Sequence, residues 1–285
     1  MDVKGLILRF VMLSLSSVVV GPLAFVLWTH LASIDGGVEA TVLVSDGVAS
    51  RLARVSIVMV GAGTMGWSSA RLISLRWGMW NAGVVVAWVG ASVTSVDILR
   101  LARDPGVLRV LALESGLILV IAAGIMWLIA RGDRHRRARP VTRGGLGELV
   151  PAIVACLGVA AAIVWIVAQE PRSGQVLWAT SLGALGGALI GSIIWAGIRE
   201  SALVITLMVL ALMVFVVRLG MGVTDQVEAA LAGSTWPLLA PTPLQWLSGA
   251  LLGIPVGLSW GGSLVAPHLS GESDESEDTK APVQA

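Results

Sequence analysis

The feature that most constrains this chain is a series of eight apolar runs, each near or above the roughly 18–20 residues that cross a bilayer as a helix. They lie near 6–28, 55–73, 81–97, 107–130, 149–168, 175–197, 201–218 and 244–266. Continuous runs of this kind exclude a transmembrane β-barrel, which needs alternating strands of about ten residues. Composition agrees: 13% of the residues are charged and 56% hydrophobic, whereas a soluble domain carries roughly 25% charged residues. The expected fold is all-α, a polytopic transmembrane helix bundle over 1–268. An acidic tail follows over 269–285, and its stretch SGESDESEDTKAPVQA is poor enough in apolar residues to be expected disordered.

The segment Met1–Arg9 puts Lys4 and Arg9 at the start of the first run, as in a signal peptide. That run is too long for one and no small-x-small cleavage site follows, so it reads as a retained span, kinked at Gly21-Pro22. Two long loops are expected, Thr29–Ala53 and Leu219–Pro243, and Asp104-Pro105-Gly106 reads as a turn before the fourth helix. The link Gly197-Ile198-Arg199-Glu200 is very short, so the sixth and seventh helices are expected to be antiparallel neighbours. Polar content makes the ends of the second and third helices the least sharply drawn.

Orientation rests on the dense basic run Arg131–Arg143, RGDRHRRARPVTR, near the middle of the chain. With eight spans and the N-terminus inside, the cytoplasmic face collects Lys4, Arg9, Arg71, Arg76, that run, Arg199 and Lys280. Arg51, Arg54, Arg100, Arg103, Arg109, Arg172 and Arg218 fall outside. The positive-inside rule therefore puts both termini in the cytoplasm. Tyrosine is absent, so interfacial anchoring falls to the twelve tryptophans. Trp28, Trp165, Trp178 and Trp246 are expected at outer ends, and Trp77, Trp80, Trp127, Trp195 and Trp260 at inner ones. Arginine outnumbers lysine and Ala, Val and Gly are abundant, which suggests a GC-rich bacterial genome and a place in the bacterial inner membrane.

The sharpest local pattern is the row Gly249, Gly253, Gly257 and Gly261 in the eighth helix, with a related row of Ala179, Gly183, Gly187 and Gly191 in the sixth. Small residues at every fourth position make a smooth stripe that lets a second backbone approach closely. Glycine-zipper packing inside the bundle is the plain reading, and a seam between copies of the chain is the other. Pro255 lies within the first row and is a candidate hinge or helix break. Glu114 is the carboxylate well inside a predicted span, a costly position that marks either a structural glutamate paired with Arg100 or Arg103, or a proton- or cation-coupling group. Asp35, Glu39, Asp46, Asp225 and Glu228 read as solvated loop acids. Besides setting topology, Arg131, Arg134, Arg136, Arg137, Arg139 and Arg143 are placed to meet anionic lipid headgroups.

No cofactor is expected. His30, His135 and His268 stand apart from one another and from the single Cys156, at no metal-ligand spacing. The run Val60–Gly66, VGAGTMG, has the glycines of a dinucleotide loop but follows no strand and sits in a span, so it reads as a packing feature. A net charge of +1 carries no nucleic-acid signal. With no nucleophile–base or metal set in view, an enzyme is not expected. The sequence reads as a non-catalytic subunit, assembly factor or scaffold of a membrane complex, with the bilayer and other subunits or further copies as its partners. The alternative is a secondary permease for a small solute, using Glu114 and the break at Pro255.

Overall fold

In the computed structural model of the chain, the described residues are 3–31, 42–43, 47–91, 94–102, 104, 106–133, 146–220 and 223–274. Every regular element among them is a helix. The chain runs α1 (Val3–Ser14), a π-helical turn (Leu15–Val20), α2 (Gly21–His30), α3 (Val48–Leu72), α4 (Leu75–Gly90), α5 (Ser95–Ala102), α6 (Gly106–Gly132), α7 (Leu146–Val167), α8 (Ser173–Ile194), α9 (Glu200–Gly220), α10 (Val223–Ala232), a 3₁₀ turn (Pro237–Leu239) and α11 (Pro243–Asp274). Eight of the described helical stretches are long and apolar enough to cross a membrane. The first of these joins α1, the π turn and α2 as one stretch, Val3–His30.

Local chemistry sets several helix ends. Ser74 breaks α3 from α4: its backbone is extended and its Oγ accepts the amide of Trp77, capping the new helix. At the start of α11, Thr242 and Gln245 form a reciprocal capping box, in which the Thr242 amide donates to Gln245 Oε1 (2.9 Å) and the Gln245 amide to Thr242 Oγ1 (3.2 Å). Pro243, which has no amide hydrogen to lose, takes the first helical position. Thr94 and Asp97 repeat the box at the start of α5. In the first span Pro22 removes a backbone donor, and the helix widens into the π turn just before it. Gly21 is required there, because the indole of Trp88 occupies the space a Cβ would need.

The spans α4 and α11 form the centre. Of the apolar windows, 69% is buried in the stretch Leu75–Leu101, which runs through α4 into α5, and 61% in that of α11, against 17% for the first span and 22% for α7 at the periphery. The two central helices run antiparallel: Arg76 reaches Ser259, Gly83 lies against Leu251 and Leu252, and Gly90 against Leu244. Ser248 Oγ donates to the Gly83 carbonyl at 3.2 Å. α3 and α6 pack side by side and parallel, Gly63 against Leu128 and Gly66 against Ile129. VGAGTMG is therefore ordinary helix whose glycines admit α6 and α4. In the first span, Ser16 Oγ lies 2.6 Å from Asn81 Oδ1 of α4.

Several expectations need correction. α8 and α9 share at most marginal contact despite their short link; α8 packs on α7 and α11, and α9 on α6 and α11. The reason is surface shape: both small-residue faces of α8 are already filled, while the large side chains of α9 such as Leu203, Leu207 and Phe215 are buried elsewhere in the core. α3 begins seven residues before its expected start, and α4 ends at Gly90 rather than near 97. α5 bridges the expected end of the third helix and the connection after it, α10 lies in the second expected long loop, and these two short helices pack on each other. They bury Val96, Ile98, Leu99, Val227 and Ala230 and expose Leu101, Glu228 and Leu231. Trp28 and Trp246 are buried packing residues rather than interfacial anchors, whereas Trp178, Trp127, Trp260 and Trp165 present their rings outward. Beyond Leu264 the backbone stays helical to Asp274, and 275–285 lies outside the described residues.

Candidate functional site

The two glycine rows do not meet each other. Gly183, Gly187 and Gly191 of α8 face α7, where a Cβ would lie 2.9 Å from the Ala160 carbonyl oxygen, 2.6 Å from that of Cys156 and 3.4 Å from that of Ala152. The row on α11 faces α8 on a different side. A Cβ on Gly249 would stand 2.5 Å from Thr180 Oγ1; on Gly253 and Gly257 it would collide with the carbonyls of Ser181 and Leu185, and on Gly261 with Ser192 Oγ. α8 is thus held between two backbones at close approach, where dispersion and Cα–H···O contacts accumulate. Thr180 Oγ1 adds a hydrogen bond across the second seam, to the Gln245 carbonyl at 3.0 Å. Both stripes are filled by helices of the same chain.

Glu114 lies on α6 and is fully buried. Its Oε2 accepts the amide of Leu43 at 3.1 Å, so the connection between the first span and α3 is pinned to the interior of α6. Arg54 of α3 is also fully buried, with its guanidinium 5.0 Å from the centre of the Trp28 ring of α2. Arg100, one of the two expected partners of Glu114, is engaged elsewhere: its Nε donates to the Ala230 carbonyl at 2.6 Å and ties α5 to α10. Arg103, the other, lies outside the described residues. A third cation, Arg218 at the end of α9, is buried with its guanidinium 3.6 Å from the Trp236 ring centre, and Trp236 meets Trp165 of α7 edge-on. These groups, with α5, α10 and the 3₁₀ turn, make one end of the bundle a capped, charge-containing layer. Sequence reasoning passed over Arg54, Trp28, Arg218 and Trp236 as a set, since nothing in linear spacing links residues so far apart.

The opposite end carries the start of α1, the α3–α4 turn, the end of α6 and the start of α9. Its arginines also lie on indoles, but outside the core: Arg9 over Trp77 (5.9 Å), Arg71 over Trp67 (5.2 Å) and Arg131 over Trp127 (3.9 Å). Arg131 is the only member of the central basic set that is described; Arg134, Arg136, Arg137, Arg139 and Arg143 lie outside the described residues, as do His135 and the loop acids Asp35, Glu39 and Asp46. Arg76 binds Glu200 Oε1 through Nε (3.4 Å) and Ser259 Oγ through Nη1 (3.0 Å), joining α4, α9 and α11. Pro255 sits one turn before Ser259, and α11 continues through it as unbroken helix. Its ring forms one wall of a cleft between α4 and α11. Among the described residues no three His, Cys, Asp or Glu side chains gather as a metal site would require. Comparison with protein-family models, curated proteins and solved structures found no match.

Proposed function

We propose that this chain is a non-catalytic component of a membrane assembly, a rigid eight-span subunit or scaffold. The observation that carries the reading is that its packing signals and its intramembrane charge are both used inside the chain. The glycine rows hold α7, α8 and α11 at backbone contact, and Glu114 fastens the Leu43 segment to α6. Groups committed in this way stabilise one arrangement. A carrier instead keeps charged groups and a broken helix available to move around a solute.

In this reading the end with Arg9, Arg71, Arg76 and Arg131 faces the cytoplasm of a bacterial cell. There exposed guanidiniums on indoles meet the anionic leaflet. The capped end with α5 and α10 then faces outward. The test is native mass spectrometry of the tagged protein after gentle extraction from its own host membrane. A foreign subunit at fixed stoichiometry is expected, and a lone monomer or homo-oligomer would overturn the reading.

A further inference from the structure

The cleft beside Pro255 has a chemistry of its own. Arg76, Trp77 and Trp80 come from the first turns of α4, and Pro255, Val256 and Ser259 from the facing turn of α11. On each helix the outer pair is four residues apart and so lies on one face. The helices are antiparallel, which brings Arg76 to Ser259 at the mouth and leaves the indoles, the proline ring and the valine as walls. Trp77 and Trp80 meet edge-on, with ring centres 5.9 Å apart, and so form a fixed corner rather than two independent side chains. The space enclosed is about 280 Å³ and open on one side. That is just below the roughly 300 Å³ of the smallest pockets for compact ligands, which also enclose most of the ligand surface. An open, narrow apolar slot suits a hydrocarbon chain better than a folded solute.

The mouth is cationic. Arg76 is about one-third exposed (37% for its side chain) and spends part of its five-donor fork on Glu200 and Ser259. Its remaining donors have no further partner among the described residues. Glu200 balances the charge of Arg76, and Arg9, exposed over Trp77, adds a second positive charge at the same rim. The rim thus retains positive charge beside an apolar slot. A phosphodiester with a net negative headgroup matches the first, and an acyl chain matches the second.

We propose that this cleft binds one anionic membrane phospholipid, its phosphate at Arg76 with Arg9 alongside, and one acyl chain between Trp77, Trp80 and Val256. This requires only that the bundle sits in a bilayer, and it stands whether or not the chain has a partner subunit. The lining of the cleft comes from α4 and α11 and includes no member of the central basic set.

The test uses the full chain, purified and delipidated in detergent, then titrated with dioleoyl phosphatidylglycerol or dioleoyl phosphatidylcholine and read by native mass spectrometry. One phosphatidylglycerol is expected to stay bound at collision energies that strip all other lipid, and phosphatidylcholine is not. Arg76→Gln should weaken that adduct about tenfold, the loss of one charge-assisted contact. Val256→Trp, which fills the slot and leaves the rim charges in place, should abolish it. Arg131→Gln, at a guanidinium outside the cleft, should leave it intact. If a variant runs as an aggregate on size exclusion, quenching of tryptophan fluorescence by phosphatidylglycerol with brominated chains decides instead, comparing wild type with Trp80→Phe; the quenched fraction should fall. Equal retention of phosphatidylglycerol by monodisperse Arg76→Gln and Val256→Trp, equal retention of phosphatidylcholine, or quenching unchanged in Trp80→Phe would overturn the proposal.

Discussion

The two ends of the bundle use the same pair of side chains in opposite ways. At the capped end, Arg54 on Trp28 and Arg218 on Trp236 are buried, and Glu114 of α6 is fully enclosed. At the other end, Arg71 on Trp67 and Arg131 on Trp127 are exposed one turn apart on their own helices. A guanidinium over an indole contributes about 0.5–1 kcal/mol when exposed and about 2 kcal/mol or more when desolvated. Burial therefore decides what the pair is for. The enclosed pairs join separate parts of the chain, α2 to α3 and α9 to the residue before the 3₁₀ turn, and belong to the fold. The exposed ones add little to it and leave their charges for the surroundings, where the Arg76 cleft lies.

This contrast can be broken by substitution, the largest effect first. Arg54→Ala removes a desolvated cation–π contact and leaves a cavity, so a loss of roughly 2–5 kcal/mol is expected. It should appear as a markedly lower melting temperature in detergent, or as no recoverable monodisperse protein. Glu114→Ala removes the acceptor of the Leu43 amide and should cost about 1–3 kcal/mol. Faster hydrogen exchange at Leu43 is the specific sign, and Glu114→Gln, which keeps an acceptor, should largely restore protection. Thr242→Ala opens the capping box of α11 at the same end and should cost about 1 kcal/mol, read in the same melting assay. Arg131→Gln at the other end should shift stability by no more than about 0.5 kcal/mol. A drop there as large as that of Arg54→Ala would erase the distinction between the ends.

Much of the architecture was legible in the sequence, and the exceptions have physical causes. Eight spans follow from apolar length alone, and the described helices supply eight. The fourfold glycine spacing marks close packing but not the partner, because a smooth stripe accepts any backbone. α8 is small on two faces, so its own row serves α7 while its other face takes α11. α10 escaped notice because 10 residues are too few to register as a span, and α5 because its first turn falls within the end of the third apolar run. Their signals were nonetheless present: Thr94-x-x-Asp97 is a capping box of the same form as Thr242-x-x-Gln245. Among the arginine–tryptophan pairs, Trp67–Arg71 and Trp127–Arg131 are readable from spacing. Arg54–Trp28 and Arg218–Trp236 exist only through tertiary packing. Glu114 stood out from its cost in a span, but its bond to the Leu43 amide depends on how the chain returns between α2 and α3.

The central claim is that the enclosed charge at the capped end serves structure and not transport. The direct measurement is voltage-driven proton flux into liposomes carrying the wild type or Glu114→Gln, followed by an internal pH dye under an imposed potassium diffusion potential. Equal flux in both, at the level of protein-free liposomes, is the expected result. A proton flux in the wild type that Glu114→Gln abolishes would contradict the claim and assign Glu114 to a conduction path.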